Sequence, residues 1–168
     1  MNKNVFLKPG DWFFGKGTGK VATVLGSCVS VVLWHPEKQI LGVSHILLPS
    51  RQQLVRQPVC GRKSDLCGRF ADELINIFQL EMVLFGAKPT AFNACLVGGG
   101  NMLLHATKAP CIGEKNIETC LALLADLQIP VCSNDLGGPL YRRLTVDIAT
   151  GQLSIERSKV NRFELLFA

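Results

Sequence analysis

The stretch Thr23-Val-Leu-Gly-Ser-Cys28-Val-Ser-Val-Val-Leu-Trp-His-Pro-Glu-Lys-Gln-Ile40-Leu-Gly-Val-Ser-His45-Ile-Leu-Leu48 decides how this chain is read. Two apolar, β-branched runs, 28–34 and 40–48, flank a polar connector that contains Pro36. That is the pattern of a β-hairpin. Gly26 and Ser27 deliver Cys28 to the mouth of the first run, and His45 sits near the far end of the second. Antiparallel pairing folds those two ends together. With Leu33 opposite Ile40, Cys28 lies directly across from His45. Side chains alternate with period two, so a one-residue slip would put the pair on opposite faces.

Downstream of the hairpin, 49–67 is a polar connection with Pro49, Pro58 and two arginine clusters. A connection this long in a compact chain is either a crossover or a functional loop, here a substrate-facing lip beside His45. Residues 69–85 predict a helix, because Phe70, Leu74, Phe78 and Met82 repeat every fourth residue. Asp72 and Glu73 favour its first turn, and Gly86 supplies a stop. Residues 91–97 read as a buried strand ending at Gly98-Gly99-Gly100-Asn101. That glycine run permits close backbone approach or a tight turn, and it lacks the context of a dinucleotide fingerprint. A second helix is expected at about 114–127, then a short strand at 130–133. The turn-forming run Ser133–Pro139 follows, and after it an alternating strand at 144–148 whose partner is 152–157.

Upstream, Pro9-Gly10-Asp11 turns into a short aromatic strand at Trp12–Phe14. Gly15–Lys20 reads as a flexible loop without phosphate-loop spacing. The tail, 158–168, and the irregular stretch around His105 carry no firm pattern. The expected fold class is mixed α+β in a single domain, 1–168: hairpins at both ends, with two helices crossing between central strands.

Composition narrows the partners. The chain has 168 residues, a net charge of +5 and seven cysteines. No apolar run approaches the roughly 18 residues that span a bilayer, and the N-terminus does not read as a signal peptide. A cytoplasmic protein with no membrane insertion is expected. The cysteine count is odd, and Cys95, Cys120 and Cys132 lie in apolar runs, so buried free thiols are expected rather than disulfides. Cys60 and Cys67 lack a second Cys or His pair at zinc spacing, so no metal is expected. The basic residues are scattered and unaccompanied by a nucleic-acid motif. They suit a solvated surface or an acidic protein partner.

A Cys–His pair at a strand mouth has a definite chemistry. Cleavage of a carboxamide by cysteine needs a thiolate, a base to make it and donors for the developing oxyanion. A nearby imidazole shifts the thiol's ionisation. The amides of Ser27 and Cys28, after Gly26, are the candidate donors, and His45 is the candidate base. Thr23 is the nearest hydroxyl to orient the imidazole, with Ser30 and Ser44 as alternatives; His35 and His105 compete as bases. Packing alone would also explain one Cys and one His in apolar strands.

Leu25-Gly26-Ser27-Cys28-Val29-Ser30-Val31, followed seventeen residues after the Cys by His45 in Val43-Ser44-His45-Ile46-Leu47-Leu48-Pro49, closely resembles the chemoreceptor glutamine deamidase family, CheD. The resemblance continues through Phe70-Ala71-Asp72, Gly98-Gly99-Gly100-Asn101-Met102, Ile112-Gly113-Glu114-Lys115-Asn116 and Asp135-Leu136-Gly137-Gly138. It implies an α/β sandwich like the catalytic domain of deamidating toxins. It also implies hydrolysis of chemoreceptor glutamines to glutamate with release of ammonia, without a cofactor. Cys28 would be the nucleophile, His45 the base and Thr23 the third member. Some members of the family also bind a CheC-type phosphatase. A catalytically silent adaptor, binding such a phosphatase or the receptor cytoplasmic domain, is the alternative.

Overall fold

The computed structural model describes residues 2–51, 65–102 and 110–159. Within them the order is β1 (Asn2–Phe6), β2 (Trp12–Gly15), β3 (Thr18–Leu25), β4 (Val29–His35), β5 (Ile40–Ser44), α1 (Ala71–Leu84), β6 (Asn93–Gly98), α2 (Ile112–Asp126), β7 (Val131–Leu136), β8 (Leu140–Asp147) and β9 (Leu153–Lys159). The strands form two mixed sheets, β1-β3-β8-β9 and β2-β5-β4-β6-β7. The fold is mixed α+β, as the patterning suggested.

Period-two alternation in β4 and β5 divides the core. Val29, Val31, Leu33, Ile40 and Ile46 face the helices and meet Leu74, Phe78, Met82, Cys120 and Leu124. Val32, Leu41 and Val43 face the other sheet and meet Val21, Leu25, Leu144 and Val146. The five-stranded sheet is therefore covered on both sides, which is why its two central strands are almost wholly apolar. Each fully buried Leu, Ile or Phe contributes about 1.5–3 kcal/mol. Gly42 leaves room beneath Phe14, since a Cβ there would stand 2.9 Å from the ring. Phe14 in turn packs against Phe78, Phe85 and Phe92.

Several expectations are corrected. Leu33 pairs with Gly42, not Ile40, and Val29 bridges Ile46. Cys28 therefore lies diagonal to His45, not directly across from it. The shift is by an even number of residues, so the shared face is kept. Thr18–Lys20 is strand, not loop, because it pairs with β1 and β8. The Ser133–Pro139 turn starts late: Ser133, Asn134 and Asp135 complete a strand parallel to β6. Asp135 is held there by Arg142 at 3.0 Å and Arg157 at 2.6 Å, the first of them buried. Cys95 and Cys120 are buried free thiols, whereas Cys132 on the edge strand β7 is exposed. Cys60, His105, the middle of the 49–67 connection and the tail beyond Lys159 lie outside the described residues. Among the described residues, no helix is long and apolar enough to cross a membrane.

Candidate active site

His45 is built into the seam between the sheets. Its backbone follows β5 but is held by the turn before β2: His45 N donates to Asp11 O at 3.0 Å, and Gly10 N donates to His45 O at 2.8 Å. Its side chain points the same way as Leu41 and Val43, toward the four-stranded sheet, and the residue is 4% exposed. There it meets Thr23, which is fully buried on β3. Thr23 therefore reaches His45 from the facing sheet.

Thr23 Oγ1 stands 2.7 Å from His45 Nδ1 and 2.8 Å from the carbonyl oxygen of Leu7. That carbonyl can only accept, so the single hydroxyl proton goes to it. The hydroxyl must then accept from Nδ1–H, which leaves the Nε2 lone pair free. The three groups thus select one imidazole tautomer. Burial lowers the His45 pKa from the ordinary 6.5, opposed by the Leu7 carbonyl and by the charge of Asp11.

Cys28 sits on the same face, at the end of the ladder. Its thiol has no hydrogen-bond partner among the described residues, and no bond joins it to the ring. Burial raises its pKa from the usual 9.0. Chemistry on the residues alone suggested a thiol ready to ionise beside the imidazole. At rest the site instead pairs a neutral thiol with a neutral imidazole, because burial penalises both charges.

The backbone before the nucleophile is fixed through its carbonyls. Gly26 O accepts from Gly100 N at 2.8 Å, Ser27 O from Asn116 Nδ2 at 3.3 Å, and Cys28 O from Gly99 N at 2.7 Å. Among the described residues the amides of Ser27 and Cys28 are unengaged. A trans peptide directs its N–H opposite to its C=O, so pinning the carbonyls aims those two amides the other way. The Gly98–Gly100 run makes this possible: a Cβ on Gly98 would lie 2.2 Å from Cys28 O, and one on Gly99 2.4 Å from the Ile117 side chain. The first turn of α2 docks just as closely, with a Cβ on Gly113 falling 2.4 Å from Gly99 O.

The alternatives have other engagements. Ser44 Oγ accepts from Val31 N at 2.8 Å, replacing a ladder bond. Ser30 Oγ is buried without a protein partner among the described residues. His35 lies at the opposite end of β4, where Nδ1 accepts from Lys38 N and the ring packs on Phe92. No cluster of three or more His, Cys, Asp or Glu residues that could hold a metal occurs among the described residues. The glycine run makes the close backbone approach that its composition permits. Asn116 was legible only as part of the Ile112–Asn116 motif, with no signal of the carbonyls that it holds.

A family model described as CheD chemotactic sensory transduction matches residues 47–157. The chain belongs to the CheD family. A probable chemoreceptor glutamine deamidase CheD of Chromobacterium violaceum is 34% identical over 162 residues, covering 95% of this chain and 80% of that protein. One from Dechloromonas aromatica is 37% identical, covering 89% of this chain and 84% of its own. One from Methanococcus maripaludis is 30% identical, covering 90% and 93%. The CheD family model begins beyond His45, but the first of these alignments leaves too little of the chain uncovered to miss 23–45.

Proposed function

We propose that this chain, as one domain, is a protein-glutamine deamidase that converts chemoreceptor glutamines to glutamate through a thioester on Cys28. The tautomer selected at His45 by Thr23 and the Leu7 carbonyl carries the reading, because it leaves Nε2 as the base. His45 takes the thiol proton as Sγ attacks the carboxamide carbon. The Ser27 and Cys28 amides receive the oxyanion. His45 returns the proton to the departing nitrogen, and ammonia leaves. Water then attacks the thioester, losing a proton to His45, and the glutamate and the thiol are released. Generating the thiolate only when substrate arrives suits a site that resists charge at rest.

The test is incubation with a purified receptor cytoplasmic domain, scoring ammonia and the mass gain of amide-to-acid conversion in receptor peptides. Both should appear. Receptor that binds but is never converted would favour the silent adaptor.

The pH profile follows from the direction of the His45 shift. Only neutral imidazole can act as base, and burial holds the folded pKa below 6.5. Activity should persist as pH falls to 6.5 and decline only below it; an acid limb centred above 6.5 would contradict the assignment. Thr23→Val, which removes the tautomer lock, should lower kcat roughly 10- to 100-fold, less than the loss when a charged orienting group is removed.

A further inference from the structure

Asn116 is fully buried in the second turn of α2, far along the chain from the hairpin, yet it touches both of the hairpin's open ends. Its amide nitrogen donates to Ser27 O at 3.3 Å and to Leu47 O at 2.9 Å. Its Oδ1 has no protein partner among the described residues, so the side chain's hydrogen bonds to protein there go to those two carbonyls. The last backbone rung of the ladder joins Val29 and Ile46. Hydrogen-bonded pairs alternate along an antiparallel ladder, so the next rung in that register would join Ser27 and Leu48. Leu48 N donates to Arg69 O instead, and the Asn116 carboxamide supplies the donor that Ser27 O would otherwise lack.

We infer that Asn116 is a positioning residue for the oxyanion: by holding Ser27 O, it aims the Cys28 N–H into the site. This rests on the deamidase reading above. Ser27 C=O and Cys28 N–H belong to one planar trans peptide, so anchoring the oxygen sets the direction of the hydrogen. The same nitrogen holds Leu47 O, which keeps the strand end beyond His45 at a fixed separation from the nucleophile. Gly100 N performs the parallel task one peptide earlier, through Gly26 O and hence the Ser27 N–H. α2 therefore contributes to a site formed by strands without placing a side chain on the substrate.

Two reactions of the same thiol separate this role from a merely structural one. Hydrolysis of a glutamine develops an oxyanion; alkylation by iodoacetamide is a displacement at carbon and develops none. In Asn116→Asp, similar in shape but without the amide donors, and in Asn116→Ala, kcat for receptor glutamine hydrolysis should fall about 10- to 100-fold, as weakened oxyanion binding requires. KM should stay within about 2-fold and Cys28 alkylation within about 3-fold of wild type, because neither senses the oxyanion. Parallel loss of alkylation and hydrolysis, or no loss of either, would overturn the inference. A wild-type protein that releases no ammonia would instead overturn the deamidase reading.

Should neither variant fold, amide exchange in the wild-type protein decides. The Cys28 N–H should exchange rapidly in the free protein. It should become protected once the thiol adds to a γ-aldehyde analogue of glutamine, forming a carbon–sulfur bond and placing the former carbonyl oxygen in the site. A Cys28 amide already protected in the free protein would overturn the inference.

Discussion

Cys28→Ala should reduce ammonia release from receptor substrate to background, a loss of roughly 10⁴-fold or more, while the protein remains folded. Among the described residues the Thr23 hydroxyl is spent on Leu7 O and Ser30 is fully buried, so neither replaces the thiol as nucleophile. The structural cost should be small. The thiol is half-buried and makes no hydrogen bond among the described residues, so its removal should cost about 1 kcal/mol or less. Melting curves and ammonia assays on the same preparation check both halves. Activity retained within a few-fold of wild type would remove Cys28 from the mechanism; collapse of the melting transition would show that the residue serves packing.

The second large effect is structural. Gly98→Ala should destabilise the chain by about 3 kcal/mol or more, since it combines left-handed backbone with a clash against main chain. Gly98 has φ +112, and the added Cβ would stand 2.2 Å from Cys28 O. A flexible side chain could move aside, but a carbonyl held by Gly99 N cannot do so without displacing the nucleophile. The melting temperature should drop by roughly 6–12 °C, and activity should fall in the fraction that still folds. A variant that melts and turns over like wild type would show that this close approach is not needed.

Much of the site was legible because it depends on parity. Cys28 and His45 share a face in any hairpin register of the right parity, so an error of two residues in the ladder left that conclusion intact. The α1 stripe was legible for a similar reason: Leu74, Phe78 and Met82 face one core and are buried. What sequence could not provide were contacts made across the fold. Thr23 meets His45 only because two sheets stack, and nothing in Gly15–Lys20 announces the strand that carries Thr23 there. Asn116 reaches Ser27 across 89 residues. The polar end of β7 read as a turn because Asp135 looks wrong for a strand until Arg142 and Arg157 are seen to neutralise it. The upward shift of the Cys28 thiol likewise follows from burial that only the packed sheets create.

The covalent intermediate offers the most direct test. Acid-quenching the protein during turnover of a glutamine-containing receptor peptide, followed by peptide mapping, should place the acyl group of that peptide on Cys28 as a hydroxylamine-labile adduct, absent from Cys28→Ala. Ammonia release with no adduct at Cys28, or with the adduct on another cysteine, would contradict the mechanism.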